Sequence, residues 1–467
     1  MMILILLLAS IIFPIAVGYV TVSLLLRNDE LFPLEIIAVS YGAGVGIISL
    51  IMFIMGALLI QLSVANVLIG CAAVLAVPAL LCIKNGWFRS LWVRNITGMI
   101  FGIKWFEWLM LAIISIRIML SYFQALIKPV QDIDSLSYRM MEAKIFFIEH
   151  GLSLNQPLGY FIGPTDQKNY PLNVSLFSSW IYCALGTWND VLVKIIFPTF
   201  LLAMVIIFYF SMRRIANRPA SLFSAYLLTT LPFLIYHSST SYIDAVVAFY
   251  FFSSFVYLLL FIRTGKTSHL LIAALLAGIC TWTKNEGLFL VVGESIAFFF
   301  YLAFIRSDVN VRKIYNLIQY FAGILLYVVP WSLFKYFYRA KIPVPEEIPN
   351  ISHLFEYFYR VPVILEYFYR KNLFYGNWNI AWFVLILVVA ISIIKRKFFV
   401  ENMIVLYAIV FGLAAYGSVY CLSKNSWPYL LDGTVQNRNF LTFMPLVVYF
   451  ICISIFSKKD NILGPLK

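Results

Sequence analysis

Two carboxylates set two residues apart, Asp132 and Asp134, open a polar interruption in an otherwise apolar chain. The interruption reads PVQDIDSLSYRMMEAKIFFIEHG, from Pro129 to Gly151, and follows the fourth hydrophobic run. Acids where such a run meets water stay solvated at little cost but cannot pack a core. They suit work on a polar substrate beside a lipid. A carboxylate partly withdrawn from water can share a proton with a hydroxyl, which makes Asp134 the candidate base. The competing role for Asp134 is purely structural, as N-cap of a helix starting at Ser135. Asp132 would orient an acceptor or join Asp134 as a ligand of a divalent ion. Two acids alone supply too few oxygens for Mg²⁺ or Mn²⁺, so a solvated loop acid is the other reading.

Further chemistry-bearing residues lie at the ends of later apolar runs. Asp244 opens one, just after Tyr242, and an acid at a membrane edge is a functional candidate by default. Lys284 and Glu286 form a charged pair at the end of another, and Arg438 opens the last. Both cations suit a phosphate, whose developing charge needs cationic stabilisation; the plainer readings are a Lys284–Glu286 pair and an ordinary headgroup contact.

The elements that must position these residues are membrane helices. Hydrophobic residues make up 63% of the chain and charged ones 12%, too little polar surface to coat a soluble globule. Apolar runs of about 17–25 residues, the length that crosses a bilayer, recur throughout. Spans are expected near 2–26, 36–60, 65–83, 106–126, 190–211, 220–237, 242–263, 268–284, 287–305, 314–337, 378–394, 402–421 and 438–456. The fold class is therefore an all-α polytopic membrane protein with about 13 transmembrane helices. The net charge of +13 lies mostly in short loops, which fits the positive-inside bias and leaves no case for nucleic acid. The six cysteines sit in or beside apolar segments with no CxxC pair, so they read as packing residues. The first basic residue, Arg27, follows the first apolar run, which argues for a span with its N-terminus outside and against a cleaved signal.

Residues 171–186 are apolar but too short for a comfortable crossing. Placing them as a helix in the outer interface puts Lys84, Lys104, Arg213, Arg214, Arg218, Arg263, Lys266, Arg306 and Lys395 on the cytoplasmic side together. The C-terminus is then cytoplasmic, and three substantial loops, 127–189, 338–377 and 422–437, are extracytoplasmic. In the first, residues 135–150 fit a helix with Met140, Met141, Ile145, Phe147 and Ile148 on one face and Arg139, Glu142 and Glu149 opposite. Lys144 falls within the apolar face, where it must snorkel or meet an anion. In the second, the string YFYR recurs after Lys335, Glu356 and Glu366, a pattern that suits the headgroup layer and anchors to membrane lipids. His150, His237 and His353 are dispersed, and Asn173 and Asn350 sit in N-x-S sequons.

At these residues the chain resembles the GT-C superfamily of membrane glycosyltransferases, especially the relatives of protein O-mannosyltransferases and lipid A aminoarabinose transferases. The resemblance rests on DIDSLSY at Asp132–Tyr138, KIFFIEHG at Lys144–Gly151, YPL at Tyr170–Leu172, SYID at Ser241–Asp244, TKNEG at Thr283–Gly287 and RNFLTFMP at Arg438–Pro445. It covers residues 106–456 as a GT-C-like catalytic module, after an N-terminal hydrophobic region at 1–105 and before a cytoplasmic tail at 457–467. Arg139 departs from the family pattern, which often has His there, and four spans precede the first large loop instead of one.

The resemblance implies sugar transfer on the extracytoplasmic face of a bacterial or archaeal plasma membrane. The donor would be a polyprenyl-phosphate sugar and the acceptor a glycan, lipid or protein hydroxyl. It implies Asp134, Asp132 and Asp244 as catalytic, and Tyr138, Arg139, Lys144, Tyr170, Tyr242, Lys284, Glu286 and Arg438 as substrate-binding. No cofactor is required beyond the divalent metal, Mg or Mn, left open at Asp132 and Asp134. Two other classes stay open: a polysaccharide polymerase or ligase, and a lipid or glycan transporter. A transporter would place ionisable residues near the bilayer midplane; in this sequence the charges concentrate at span ends.

Overall fold

The central helix is the one that carries Asp244. It runs Asp244–Thr264, and its apolar window is buried along its whole length. Aromatic and aliphatic residues surround it on every face, so no side of it has the polar stripe of a surface helix. In the computed structural model, which describes residues 2–27, 29, 31–88, 102–152, 169–306, 309–337, 351–395, 399–423 and 426–457, the other helices pack around this one.

In chain order the helices are α1 (Met2–Leu26), α2 (Pro33–Ala57), α3 (Val64–Lys84), α4 (Trp105–Ile127), α5 (Met140–Glu149) and α6 (Asn173–Leu185). Then come α7 (Ile196–Arg213), α8 (Arg218–Thr229), α9 (Pro232–His237), α10 (Asp244–Thr264), α11 (Thr267–Thr283), α12 (Asn285–Phe300) and α13 (Asn310–Phe337). The last are α14 (Ile351–Glu356), α15 (Val361–Phe374), α16 (Ala381–Ile394), α17 (Val400–Leu422), α18 (Trp427–Leu431), α19 (Thr434–Leu441) and α20 (Met444–Phe456). No strand pairing contributes to the described core.

Nine of the described helices are long and apolar enough to cross a membrane, or ten if the bent pair Val435–Leu441 and Met444–Phe456 is one span. This supports a polytopic membrane protein with fewer full-length crossings than the sequence suggested. Two of the expected spans, α11 and α16, are apolar but shorter. A third, expected at 220–237, is broken into α8 and α9 at Leu231. Pro232 forces the residue before it into extended geometry and removes a helix donor.

Helices α1 and α2 pack into the rest of the described bundle. Helix α2 is almost as enclosed as α10 and touches α6, α7 and α11. Helices α1 and α2 meet backbone to backbone: a methyl added at Gly18 would lie 1.8 Å from Ser40 O, and one at Gly44 1.7 Å from Pro14 O. Such approach through small residues is how helices associate where lipid offers no hydrophobic drive. By contrast α3 and α4 expose most of their apolar surface, as a lipid-facing rim would.

Helix α6 was expected in the outer interface, but protein encloses it. Every residue from Asn173 to Tyr182 is buried. Its polar groups face the interior: the Ser49 hydroxyl donates to Asn173 Oδ1 at 2.7 Å, and Asn173 Nδ2 donates to Thr283 Oγ1 at 2.8 Å. The Trp282 indole donates to Ser49 at 3.0 Å. This chain ties α2, α6 and α11 together just before Lys284. It also makes Asn173 inaccessible to glycosylation in the folded chain; Asn350 lies outside the described residues.

Helix α5 also turns differently from its expected face. It buries Met140, Glu142, Ala143, Ile145 and Phe146 and exposes Ile148. Glu142 can be buried because Ser175 donates to it at 2.7 Å and Arg139 lies 3.7 Å away.

Helix α10 rises about 30 Å from Asp244 to Thr264, so its ends define two ends of the bundle. Arg214, Arg218, Arg263 and Lys266, grouped as cytoplasmic by sequence, gather where α10 stops. The expected acids and cations gather where it starts.

A candidate site at the start of α10

The site is built from four separate pieces of chain, and the 132–135 turn supplies the first. The carbonyl of Asp132 accepts from the Ser135 and Leu136 amides at 3.0 and 2.9 Å, starting the short π-helical turn Ser135–Arg139 that leads into α5. Asp134 lies inside that first turn with helical backbone and makes no capping hydrogen bond. The cap role is therefore not what its side chain does.

Three hydrogen bonds staple this turn to the segment before α10. Ser241 donates from its amide (2.8 Å) and hydroxyl (2.6 Å) to Asp132 Oδ2, while the Ser135 hydroxyl donates to Ser241 O at 2.8 Å. Through Oδ2, Asp132 thus helps hold two chain segments together. Ser241 appeared in the sequence only as the first letter of SYID; nothing local marks it as the partner of an acid 109 residues earlier.

The staple brings Asp134 beside Asp244, and one arginine joins them. Arg438, on α19, places Nη1 2.7 Å from Asp134 Oδ2 and Nε 3.0 Å from Asp244 Oδ2. Its guanidinium lies over the Tyr242 ring at 4.2 Å, a cation–π contact that fixes its plane. Asp244 also receives Lys284 Nζ at 2.9 Å, and Lys284 reaches Glu286 Oε1 at 2.8 Å. Asp244 sits in the first turn of α10, where the helix dipole favours a negative charge. Burial alone would weaken the Lys284 ammonium, but Asp244 and Glu286 hold its pKa above the ordinary lysine value.

Accessibility grades these groups. Asp244 is fully enclosed; side-chain exposure rises through Lys284 at 9%, Arg438 at 16% and Glu286 at 21% to Asp134 at 39%. A reactant reaching this end of the bundle meets Asp134 first, with Arg438 behind it. The arrangement can take a proton at its open edge and stabilise negative charge one layer deeper.

His237, dismissed in the sequence as one of a dispersed set, sits here too. Its Nδ1 is 4.0 Å from Asp244 Oδ2 and its ring is 5.2 Å from Tyr242. His353, by contrast, contacts Leu422 O in another part of the molecule.

The other four expected binding residues have different surroundings. Tyr138 is wholly buried in the core. Arg139 stacks over the Tyr170 ring at 4.8 Å and lies by Glu142, while Tyr170 also acts electrostatically on Lys284. The Lys144 ammonium lies 3.9 Å from the Trp188 ring centre. A metal reading at Asp132 and Asp134 finds no donor set. Among the described residues no group of three or more His, Cys, Asp or Glu is placed to hold an ion, and the two aspartates face Ser241 and Arg438.

The repeated YFYR strings also separate. The first runs past Phe337 beyond the described residues. In the second, Arg360 is buried and donates to Tyr420 O at 3.0 Å and Ser423 O at 3.1 Å, closing the end of α17. The third keeps its arginine outside: Arg370 is exposed and pairs with Glu366 at 2.6 Å, while Tyr369 is exposed beside them.

Several buried acids escaped the sequence reading: Glu35, Glu107, Glu401 and Glu294. Glu294 lies midway along α12, is wholly enclosed, and accepts from the Ser254 hydroxyl at 2.6 Å. Its only local signal is GES inside an apolar run. Searches of the chain against protein-family models, curated proteins and solved structures find no match.

Proposed function

We propose that this protein is a GT-C-type glycosyltransferase that moves a sugar from a polyprenyl-phosphate to a lipid, glycan or protein hydroxyl at the extracytoplasmic membrane surface. The observation that carries this reading is the convergence of Asp134 and Asp244 on Arg438, with Lys284 behind, at one end of an apolar helix bundle. In the proposed step Asp134 takes the acceptor O–H proton as that oxygen bonds to the anomeric carbon. The bond from that carbon to the phosphate oxygen breaks, and the phosphate leaves with the electron pair toward Arg438. Attack opposite the leaving group inverts the anomeric configuration. Tyr242 would offer its ring to the sugar. The gathering of Arg214, Arg218, Arg263 and Lys266 at the other end supports placing the site outside, because basic residues favour the cytoplasmic side. About thirteen crossings, including α11, α16 and the broken α8–α9 pair, belong to this proposal.

Transport is a second reading, and two observations favour it: Glu294 buried midway along α12, and the breaks at α8–α9 and α19–α20. Transfer from a panel of radiolabelled polyprenyl-phosphate sugars, with the reconstituted chain and its Asp134→Asn variant, separates the two. Transfer by the wild type that the variant loses supports the enzyme. A wild type that transfers from no donor sinks it and favours transport.

A further inference from the structure

Among the described residues, the cluster at the start of α10 carries more carboxylates than cations. Three carboxylates, Asp134, Asp244 and Glu286, surround two cations, Lys284 and Arg438. The donor proposed above would bring a phosphate to this place, and a phosphate that takes Arg438 Nη1 does so by displacing a carboxylate. Geometry selects which one. Asp244 is wholly buried and held by both cations. Glu286 is bound to Lys284, which has only 9% of its side chain exposed. Asp134 is the most open of the three, and its ion pair is a single contact with Arg438 Nη1. Meanwhile Arg438 keeps Nε on Asp244 and its face on Tyr242, so the guanidinium stays fixed while Nη1 changes partner. A planar fork of this kind matches phosphate as well as carboxylate.

We infer that the donor's phosphate takes the place of Asp134 on Arg438, so that donor arrival is what frees Asp134 to act as base. This rests on the glycosyltransferase reading. Asp134 Oδ2 accepts a guanidinium N–H from Arg438 at 2.7 Å, so that oxygen is turned to the cation and not to an acceptor hydroxyl. After the exchange its carboxylate faces the acceptor hydroxyl instead. The exchange makes no covalent bond and moves no proton. Its consequence is an order: donor first, activation of the acceptor second, and no competent base while the site lacks donor.

The test is equilibrium binding of a sugar-free polyprenyl phosphate to the full-length chain in nanodiscs, with transfer assayed separately. Asp134→Asn removes the competing charge, so binding should tighten roughly two- to fivefold, the scale of a partly exposed ion pair, although transfer is lost. Asp134→Ser, melting at the wild-type temperature, should behave alike. Arg438→Gln should lose binding. Unchanged or weaker binding in both Asp134 variants overturns the exchange and leaves the transferase reading intact. No binding by the wild type or either variant removes the donor and the exchange together.

Discussion

Where α10 stops, Glu35 receives Arg214 at 2.6 Å, Glu107 receives Arg218 through two contacts at 2.7 and 2.8 Å, and Glu401 receives Arg263. Where α10 starts, three carboxylates divide two cations among them. At the first end each of these three glutamates has its own arginine, and further bonds support the pairs: the Tyr257 hydroxyl donates to Glu35 at 2.8 Å, and Arg218 reaches Gly102 O. These are closed pairs with little to offer a ligand. At the second end Asp244 and Arg438 each serve two partners, and Asp134 stands at the open edge. The difference teaches that counting buried ion pairs does not locate a site; sharing and exposure do. A closed pair acts as a strut between helices. A shared one can exchange a partner without leaving a buried charge alone, which is the costly event in an apolar interior.

That contrast makes opposite demands on variants at the two ends. Asp134→Asn should lower sugar transfer by about 10²–10⁴, the usual worth of a general base, and shift the melting temperature little, because its pair is half in water. Arg214→Ala should do the reverse. It strands Glu35 in the interior and should cost about 3–5 kcal/mol of stability, read by thermal unfolding in micelles, with transfer per folded molecule unchanged. If Arg214→Ala abolished transfer at full stability, the two ends would not be divided as described.

Arg360→Ala tests a smaller strut. Losing its charged hydrogen bonds to Tyr420 O and Ser423 O should cost about 1.5–3 kcal/mol, visible as faster amide exchange over 419–423, far from Asp134. Smallest of all, Glu366→Gln removes an exposed helix-surface pair and should change stability by no more than about 0.5 kcal/mol. A larger loss in the same melting experiment would show that the third YFYR copy is as built-in as the second.

The positions of the helices were largely legible in the chain, because a run of apolar residues long enough to cross a bilayer has few alternatives to helix. All thirteen expected spans contain helix in the described residues, although Pro232 splits one and length alone sets α11 and α16 apart. The site was legible as residue types at span ends: Asp134, Asp244, Lys284, Glu286 and Arg438 were all expected, and all meet. Its partners were not. Nothing local to Asp132 pointed to Ser241, and nothing local to Lys144 pointed to Trp188. Helix α6 read as interfacial because a stretch of that length seldom spans, and hydropathy carries no information about enclosure by other helices.

The sequence by itself determined a membrane-embedded, all-helical chain with its chemistry-bearing charges at helix ends, because hydropathy and charge cost are local properties of each segment. Only the tertiary structure decided that residues 134, 244, 284, 286 and 438 share one cluster, and that Asp134 is its open edge. Which helix end faces which is set by side-chain packing across the bundle, with close approaches such as Gly18 on Ser40 O. Those contacts join residues far apart in the chain, and no local pattern encodes them.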